Sequence, residues 1–126
     1  MQGRMHAANG ELEPARAEFA KAVELDPQSL VYRNNLATAL ARLERYGEAA
    51  DAFAQVCELD PAYQGAAFFA AASYSMAGRN KEAAHWLRFC LERNLATKEQ
   101  VLESAFFENL KSSEYWEPAL LNGPND

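Results

Sequence analysis

The side chains that could take part in catalysis or metal binding are two histidines and two cysteines, and their spacing favours neither chemistry. His6 and His85 lie far apart, and neither has a metal-ligating residue three or four positions later, where a helix would place one on the same face. His85 and Cys90 are five positions apart, which puts them on different helix faces. Cys57 and Cys90 fall late in predicted helices, where a buried, unreactive thiol is expected. We therefore predict no catalytic residue, no metal site and no cofactor.

Other catalytic signals are also missing from the sequence. There is no glycine-rich phosphate-binding loop and no His-Glu-x-x-His motif. Paired acids such as Glu24 and Asp26 fall at helix ends or on polar faces, where they solvate the surface. Trp86 and Trp116 are interpreted as packing residues rather than ligand platforms. These features predict a protein that is not an enzyme.

The composition limits the classes of partner and compartment. The chain has 126 residues, of which 49% are hydrophobic and 24% charged, which is typical of one globular domain. Eighteen acidic residues against 12 basic ones give a formal charge of −6, which disfavours nucleic acid or an anionic membrane as the partner. No apolar run approaches the roughly 20 residues that cross a bilayer, and two cysteines are too few for a disulfide framework. A cytoplasmic protein is the expectation.

The residue types needed for β-strands are scarce, while helix-forming residues are abundant. Isoleucine is absent and alanine occurs throughout the chain. This composition predicts an all-α fold. The β-branched residues are Val23, Val31, Thr38, Val56, Thr97 and Val101.

An internal repeat organises the helices. Leu25-Asp26-Pro27 recurs 34 residues later as Leu59-Asp60-Pro61. Aligning residues 11–27 with 45–61 gives seven identities in 17 positions, and a weaker third copy covers 79–95. The identities of the first two copies are Ala15/Ala49, Phe19/Phe53, Ala20/Ala54, Glu24/Glu58 and the shared Leu-Asp-Pro.

Each unit is predicted to contain two antiparallel helices, called helix A and helix B. In the second unit, helix A is expected from about Ser29 to Leu43, and helix B from about Glu48 to Leu59. Tyr46-Gly47 is expected to form the turn between them. Asp60-Pro61 ends one unit and starts the next, because aspartate caps free amides and proline suits the first helical position.

The period, Leu-x-x-x-Leu in helix A, Ala-x-x-x-Phe in helix B and the closing proline together resemble the tetratricopeptide repeat. The resemblance implies a right-handed α-α superhelix of about two and a half to three repeats. Arg33 departs from the family pattern, which has an aromatic residue there. The matching residues of the second unit are Leu36, Ala37, Leu40, Ala49, Phe53 and Pro61.

The repeats are predicted to cover residues 1–95, divided into a truncated first unit (1–27), a second (28–61) and a third (62–95). Residues 96–126 resemble the segment that closes many bacterial arrays of this family. They are predicted to form capping helices, one opened by a Thr97-x-x-Gln100 capping box and another over about 113–121, followed by a frayed end.

The resemblance implies that the A helices line a concave groove, which in this family usually holds a peptide or a partner's helix. Asn34 and Asn35 could pair with a peptide backbone; the alternative is a solvated surface or a hydrogen bond to the neighbouring helix. Arg42 could bind a carboxylate, although a lone arginine is more often a surface residue. Phe68 and Phe69 point about 100° apart, so if one faces the core the other faces the groove; both could also be core. The predicted peptide-binding residues are Asn34, Asn35, Thr38, Arg42, Phe68, Phe69, Ala72 and Met76, and Ser75 is a further candidate for the groove side.

The leading hypothesis is therefore a non-enzymatic module that binds a protein or peptide in its concave groove. The alternative is a structural or oligomerisation fragment of a longer repeat protein. Because the first helix A is incomplete, Ala15, Phe19 and Ala22 would be poorly covered. Either further repeats precede residue 1, or this edge pairs with a second copy in a homodimer.

Overall fold

Helices account for most of the residues that the structure describes, seven of them with complete bounds. The computed structural model describes residues 2–63, 65–116 and 119, with residues 2–9 at the level of the backbone. Among these residues there is no β-strand, which confirms the prediction of an all-α fold. A 3-10 turn at Ala105–Phe107 separates α6 from α7. The helices are α1 (Gln2–Leu25), α2 (Leu30–Arg42), α3 (Tyr46–Leu59), α4 (Ala66–Met76), α5 (Asn80–Glu92), α6 (Lys98–Glu103) and α7 (Glu108–Lys111).

The helix starts follow the capping residues in the sequence. Ser29 Oγ accepts a hydrogen bond from the backbone N–H of Tyr32 at 3.2 Å, which caps α2. At the start of α6, Thr97 and Gln100 form a reciprocal capping box, as predicted. These bonds satisfy amides that would otherwise lack a partner in the first helical turn.

Consecutive helices pack in chain order, from α1 against α2 to α4 against α5. Helix α4 is the most buried element, since eight of its 11 residues are alanine, serine or tyrosine side chains covered by neighbours. Its small side chains allow α3 and α5 to approach closely from either side. The larger core residues Phe53, Val56 and Leu87 fill the space between the helices.

The turn between helix A and helix B differs from the sequence prediction. Tyr46 and Gly47 lie inside α3, and Glu44 is the residue in the left-handed region, with φ of 62°. Gly78, one period later, has φ of 80° at the corresponding turn between α4 and α5. The amides of Arg45 and Arg79 then bond in the same way to the carbonyls of Leu40 and Tyr74, both at 2.9 Å. The equivalent turns lie one period apart, at Glu44 and Gly78, and the prediction of a turn at Tyr46-Gly47 is wrong.

The first unit also differs from the expectation, because it is one helix rather than the end of a helix A followed by a helix B. Gly10 occupies the repeat position of Glu44 and Gly78, yet it lies within α1. Pro14 is also inside this helix, where it removes the hydrogen bond to the Gly10 carbonyl and its ring crowds that carbonyl. Glycine accepts helical as well as left-handed angles, so Gly10 does not by itself force the chain to turn.

Arginine side chains connect successive units. Arg33 donates hydrogen bonds to the Pro27 carbonyl and, at 2.6 Å, to Gln55 Oε1, so it joins the linker before α2 to α3. Arg79 lies 3.3 Å from Asp51 of the preceding unit, as Arg45 lies 3.5 Å from Glu13. Such exposed pairs contribute little stability individually, and the two acidic partners, Glu13 and Asp51, are not in equivalent repeat positions.

The segment after α5 folds back onto α4. Asn109 Nδ2 donates to the carbonyl of Ser75 at 2.8 Å, and the amide of Leu110 donates to the Ser75 hydroxyl at 3.3 Å. The ring of Phe107 packs edge-on against Phe68, with 5.5 Å between centroids. We call residues 98–111 the C-terminal cap. Of the short helix predicted over 113–121, residues 117, 118, 120 and 121 lie outside the described residues, and Trp116 and Ala119 are helical. The frayed end lies wholly outside them.

None of the helices that the structure describes combines the length and apolar character needed to cross a bilayer.

Candidate functional site

A hollow of about 300 Å³ opens between α2, α3 and α4, and we call it the distal hollow. The C-terminal cap forms part of its wall through Phe106. Its surface is mostly apolar, with two aromatic rings left partly open to solvent, since Phe69 and Phe106 each remain 45% exposed. The lining residues are Thr38, Ala41, Arg42, Tyr46, Phe53, Phe69, Ala72, Ser73, Met76 and Phe106.

A smaller hollow of about 170 Å³, the proximal hollow, lies between α1 and α2. It shares Thr38 and Arg42 with the distal hollow, so these two side chains form a ridge between adjoining depressions. The proximal hollow is lined by Leu12, Ala15, Phe19, Asn35, Thr38, Ala39 and Arg42.

The two hollows are the same place in successive units. All proximal lining residues except Ala15 have their 34-residue equivalents in the lining of the distal hollow. Each hollow therefore forms where the last helix of one unit meets helix A of the next, as stacking of equal units requires. The equivalent pairs are Leu12/Tyr46, Phe19/Phe53, Asn35/Phe69, Thr38/Ala72, Ala39/Ser73 and Arg42/Met76.

Equivalent positions carry different chemistry in the two hollows. Asn35 supplies an amide to the proximal hollow, where Phe69 supplies a ring to the distal one. Arg42 is likewise replaced one period later by Met76, a flexible apolar side chain that adapts to irregular surfaces. A chain lying across the ridge would meet the Asn35 amide in the proximal hollow and the Phe69 ring in the distal one.

The structure brings most of the predicted groove residues together. Thr38, Arg42, Phe69, Ala72 and Met76 all line the distal hollow, and Asn35 lines the proximal one. Their clustering follows from the helical period, because positions 38 and 42 are one turn apart on α2, as 69, 72 and 76 are on α4.

Asn34 and Phe68, in contrast, line neither hollow. They occupy equivalent repeat positions, and each lies one residue, or about 100° of helix rotation, before the residue that does line a hollow. Phe68 packs against Phe107 of the cap and adjoins the core. Asn34 Oδ1 is buried without a hydrogen-bond donor among the described residues. Ser75, also expected on the groove side, is fully buried beneath the cap.

Sequence reasoning missed two aromatic side chains of the distal hollow. Phe106 was assigned only to the capping segment, and Tyr46 was placed in a turn. The signal for Phe106 was the adjacent pair with Phe107, because neighbouring residues point in different directions. Phe107 is fully buried, whereas Phe106 faces the hollow. Tyr46 lies 34 residues after the apolar Leu12, and this equivalence was the signal that Tyr46 lines a hollow.

The charge distribution around the hollows is uneven. Among the described residues, Arg42 is the one charged side chain lining either hollow, although the chain as a whole has 18 acidic residues. Within the part of the chain that the structure describes, Arg42 has no ion pair or hydrogen bond from its side chain, and it is exposed. A carboxylate from another molecule could therefore reach its guanidinium without displacing an internal partner.

The cysteines do not form part of this surface. Both are buried and free. Burial raises the pKa of the Cys57 thiol to about 12, with further contributions from Glu58 and Asp60. Burial likewise raises the pKa of Cys90 to about 12, so both thiols are protonated and poor nucleophiles near neutral pH. No group of three metal-ligating side chains occurs within the described ranges.

Comparison with known families finds the tetratricopeptide repeat model at residues 1–29 and 31–63. These stretches contain α1 and the hairpin of α2 and α3. The matched stretches end before α4, whose assignment with α5 to a third unit rests on the equivalent turns at Glu44 and Gly78. A search of curated proteins finds no match to the chain.

Proposed function

Since the chain belongs to the tetratricopeptide repeat family, whose repeats are generally protein-interaction modules, we propose that it binds a segment of a partner protein along its concave side. The binding surface consists of the proximal and distal hollows and the ridge of Thr38 and Arg42 between them. In this proposal residues 1–95 supply the repeats, and residues 96–126 cap the array and complete the surface. The mechanism is recognition by a preformed shape, which lowers the entropy cost of binding.

One observation supports this proposal most strongly. The two hollows occupy equivalent positions and share a wall, so together they form a continuous track rather than an isolated cavity. An extended or helical segment can place successive side chains in successive hollows of such a track. A substrate pocket for catalysis would instead need converging polar and titratable groups, and the described lining contains Arg42 as its one charged side chain.

The test uses peptides selected from a displayed random library against the full chain, followed by amide NMR of the complex. We expect shifts at Thr38, Ala72 and neighbouring residues of α2 and α4. Thr38→Trp should weaken binding by about tenfold or more, because the indole would extend from the ridge and occupy space in the hollows that the peptide needs. Glu58→Trp, an equally exposed change outside both hollows, should leave binding unchanged. Shifts confined to α5, which lines neither hollow, or a neutral Thr38→Trp, would refute groove binding.

A second candidate function is self-association through α1. Among the described helices, α1 packs mainly against α2, and Phe19 and Ala15 remain half-buried where their equivalents Phe53 and Ala49 are buried. Leu25 is 81% exposed. A second copy placed against this helix would cover these side chains.

Sedimentation velocity over a wide concentration range tests this second candidate. Self-association should increase the sedimentation coefficient with concentration, and Phe19→Asp should abolish that increase. Phe69→Asp, which adds the same charge to the distal hollow, should not alter it. A sedimentation coefficient that stays constant at a monomer value would exclude a dimer through α1.

A further inference from the structure

The distal hollow has the size and the aromatic lining of a site for an apolar side chain. Its volume of about 300 Å³ lies at the lower end of the range for ligand sites, roughly 300–1,000 Å³. Phe69 and Phe106 face it from α4 and from the cap, and each is 45% exposed. Phe53 closes the floor, with its ring centroid 5.7 Å from that of Phe69. An apolar side chain entering between these rings would gain aromatic contacts that the unbound surface leaves to water.

The positive charge of Arg42 indicates which charge a partner segment should carry. Arg42 lines the hollow and has no side-chain partner among the described residues. The acidic residues of this acidic chain are absent from the described lining of both hollows. A lone guanidinium within such a surface attracts a carboxylate and disfavours a cationic side chain.

We propose, on the basis of the groove function proposed above, that the distal hollow binds a partner segment in which an aromatic or large aliphatic side chain lies close to an acidic one. The apolar side chain enters between Phe69 and Phe106, and the carboxylate pairs with Arg42. In this proposal Phe106 is a specificity-determining residue, although it belongs to the cap and not to a repeat.

The position of Phe106 is fixed by contacts that do not involve its own ring. Asn109 and Leu110 bind Ser75, and Phe107 packs against Phe68. The backbone amide of Phe106 also donates to Ser104 Oγ at 3.1 Å. Its ring is therefore held at the rim by a docked segment while remaining available to a ligand, which is the geometry of a preorganised contact.

The experiment selects phage-displayed random peptides against the full chain and compares the residue composition of the enriched pools. The wild-type chain should enrich Asp or Glu together with Phe, Trp, Leu or Met. Arg42→Glu should replace the acidic preference by Lys or Arg, and should weaken the wild-type-selected peptides by about tenfold. Lys81→Glu makes the same charge change at an exposed position outside both hollows and should leave the selected pool unchanged.

Truncation of the ring gives an independent measurement. Phe106→Ala should reduce the enrichment of aromatic residues while retaining the acidic preference. Leu102→Ala removes another exposed apolar side chain of the cap, 53% exposed and outside the hollows, and should have no effect. Circular dichroism of each variant confirms that it is folded.

The outcomes separate this inference from the groove function. Peptides that shift α2 and α4 amides but show neither an acidic nor an apolar preference would overturn the inference and leave the groove function in place. Peptides that bind elsewhere would overturn both. If the hollow is instead occupied by a second copy of the chain, sedimentation will show a dimer that Phe106→Ala dissociates, and the inference fails.

Discussion

The two equivalent turns allow a direct test of how backbone geometry contributes to stability. Glu44 adopts φ of 62° where Gly78 adopts 80°. A left-handed conformation costs an L-residue roughly 1–2 kcal/mol, and glycine avoids this cost. Glycine also increases the conformational freedom of the unfolded chain, which offsets about 0.4–1 kcal/mol of the gain. We therefore expect Glu44→Gly to stabilise the fold by about 0.5–1 kcal/mol.

At Glu44 and at Gly78, neither lost side-chain contacts nor steric clashes would add to the backbone effect of a substitution. The Glu44 side chain is exposed and has no hydrogen bond or ion pair among the described residues, so its removal loses no contact. A Cβ added at Gly78 would meet no heavy atom within 4 Å, so the cost of Gly78→Ala is purely conformational. It should destabilise the chain by about 1 kcal/mol. Gly47 lies within α3, where a Cβ also has open space, and Gly47→Ala should stabilise by about 0.5–1 kcal/mol.

Thermal unfolding followed by circular dichroism can resolve these differences. For a chain of 126 residues, a change of about 1 kcal/mol shifts Tm by about 4 °C. Glu44→Gly and Gly47→Ala should therefore raise Tm by about 2–4 °C, and Gly78→Ala should lower it by about 4 °C. A decrease in Tm for Gly47→Ala with no change for Glu44→Gly would show that the turn lies at Tyr46-Gly47 and that the backbone description of this hairpin is wrong.

Three other outcomes follow from burial and hydrogen bonding. Phe53→Ala should lower the free energy of unfolding by about 3–5 kcal/mol, the range for emptying a buried aromatic position, because Phe53 is 3% exposed. Its equivalent Phe19 is only half-buried, so Phe19→Ala should lower it by less than half as much. Urea unfolding measures both changes. Asn109→Ala should cost about 1 kcal/mol and increase amide hydrogen exchange in the cap, since it removes the bond to α4; unchanged exchange would show that the cap is held by packing alone. Burial raises the pKa values of Cys57 and Cys90 to about 12 from an ordinary 9.0. Above pH 9.0 the unfolded chain therefore releases thiol protons that the folded chain retains. The free energy of unfolding should decrease as the pH rises through this range. Rapid labelling of the native thiols by iodoacetamide at neutral pH would contradict their burial.

Much of the fold could be predicted because the residues that pack the helices together recur in the sequence with the period of the repeat. Ala49 and Phe53 repeat Ala15 and Phe19 at an interval of 34 residues, and the scarcity of β-branched residues disfavours sheets. The helix boundaries were harder to predict. Gly47 has the chemistry of a turn residue but lies in a helix, whereas Glu44 lacks that chemistry and occupies the turn. There the tertiary packing of two helices overrides the local preference of single residues.

The candidate site was predictable only where it depends on the repeat. The shared placement of Thr38, Ala72 and Met76 follows from their spacing along two equivalent helices, and their role in binding stays a prediction. The sequence did not decide which of Phe68 and Phe69 would face the hollow, because a rotation of 100° separates them and either could enter the core. Phe106 could not be placed at all, since its position depends on how a non-repeat segment folds back onto α4.

Helix α4 contacts α3, α5, the 3-10 turn and α7, whereas helices in a simple linear array touch only the elements beside them. Local opening of α4 therefore requires several elements to separate together, while opening of α1 disrupts mainly one interface. The free energy of local opening should increase along the chain from α1 to α4. A pulling force applied to the two ends would accordingly unravel the molecule from its first helix, with the helix beneath the cap yielding last.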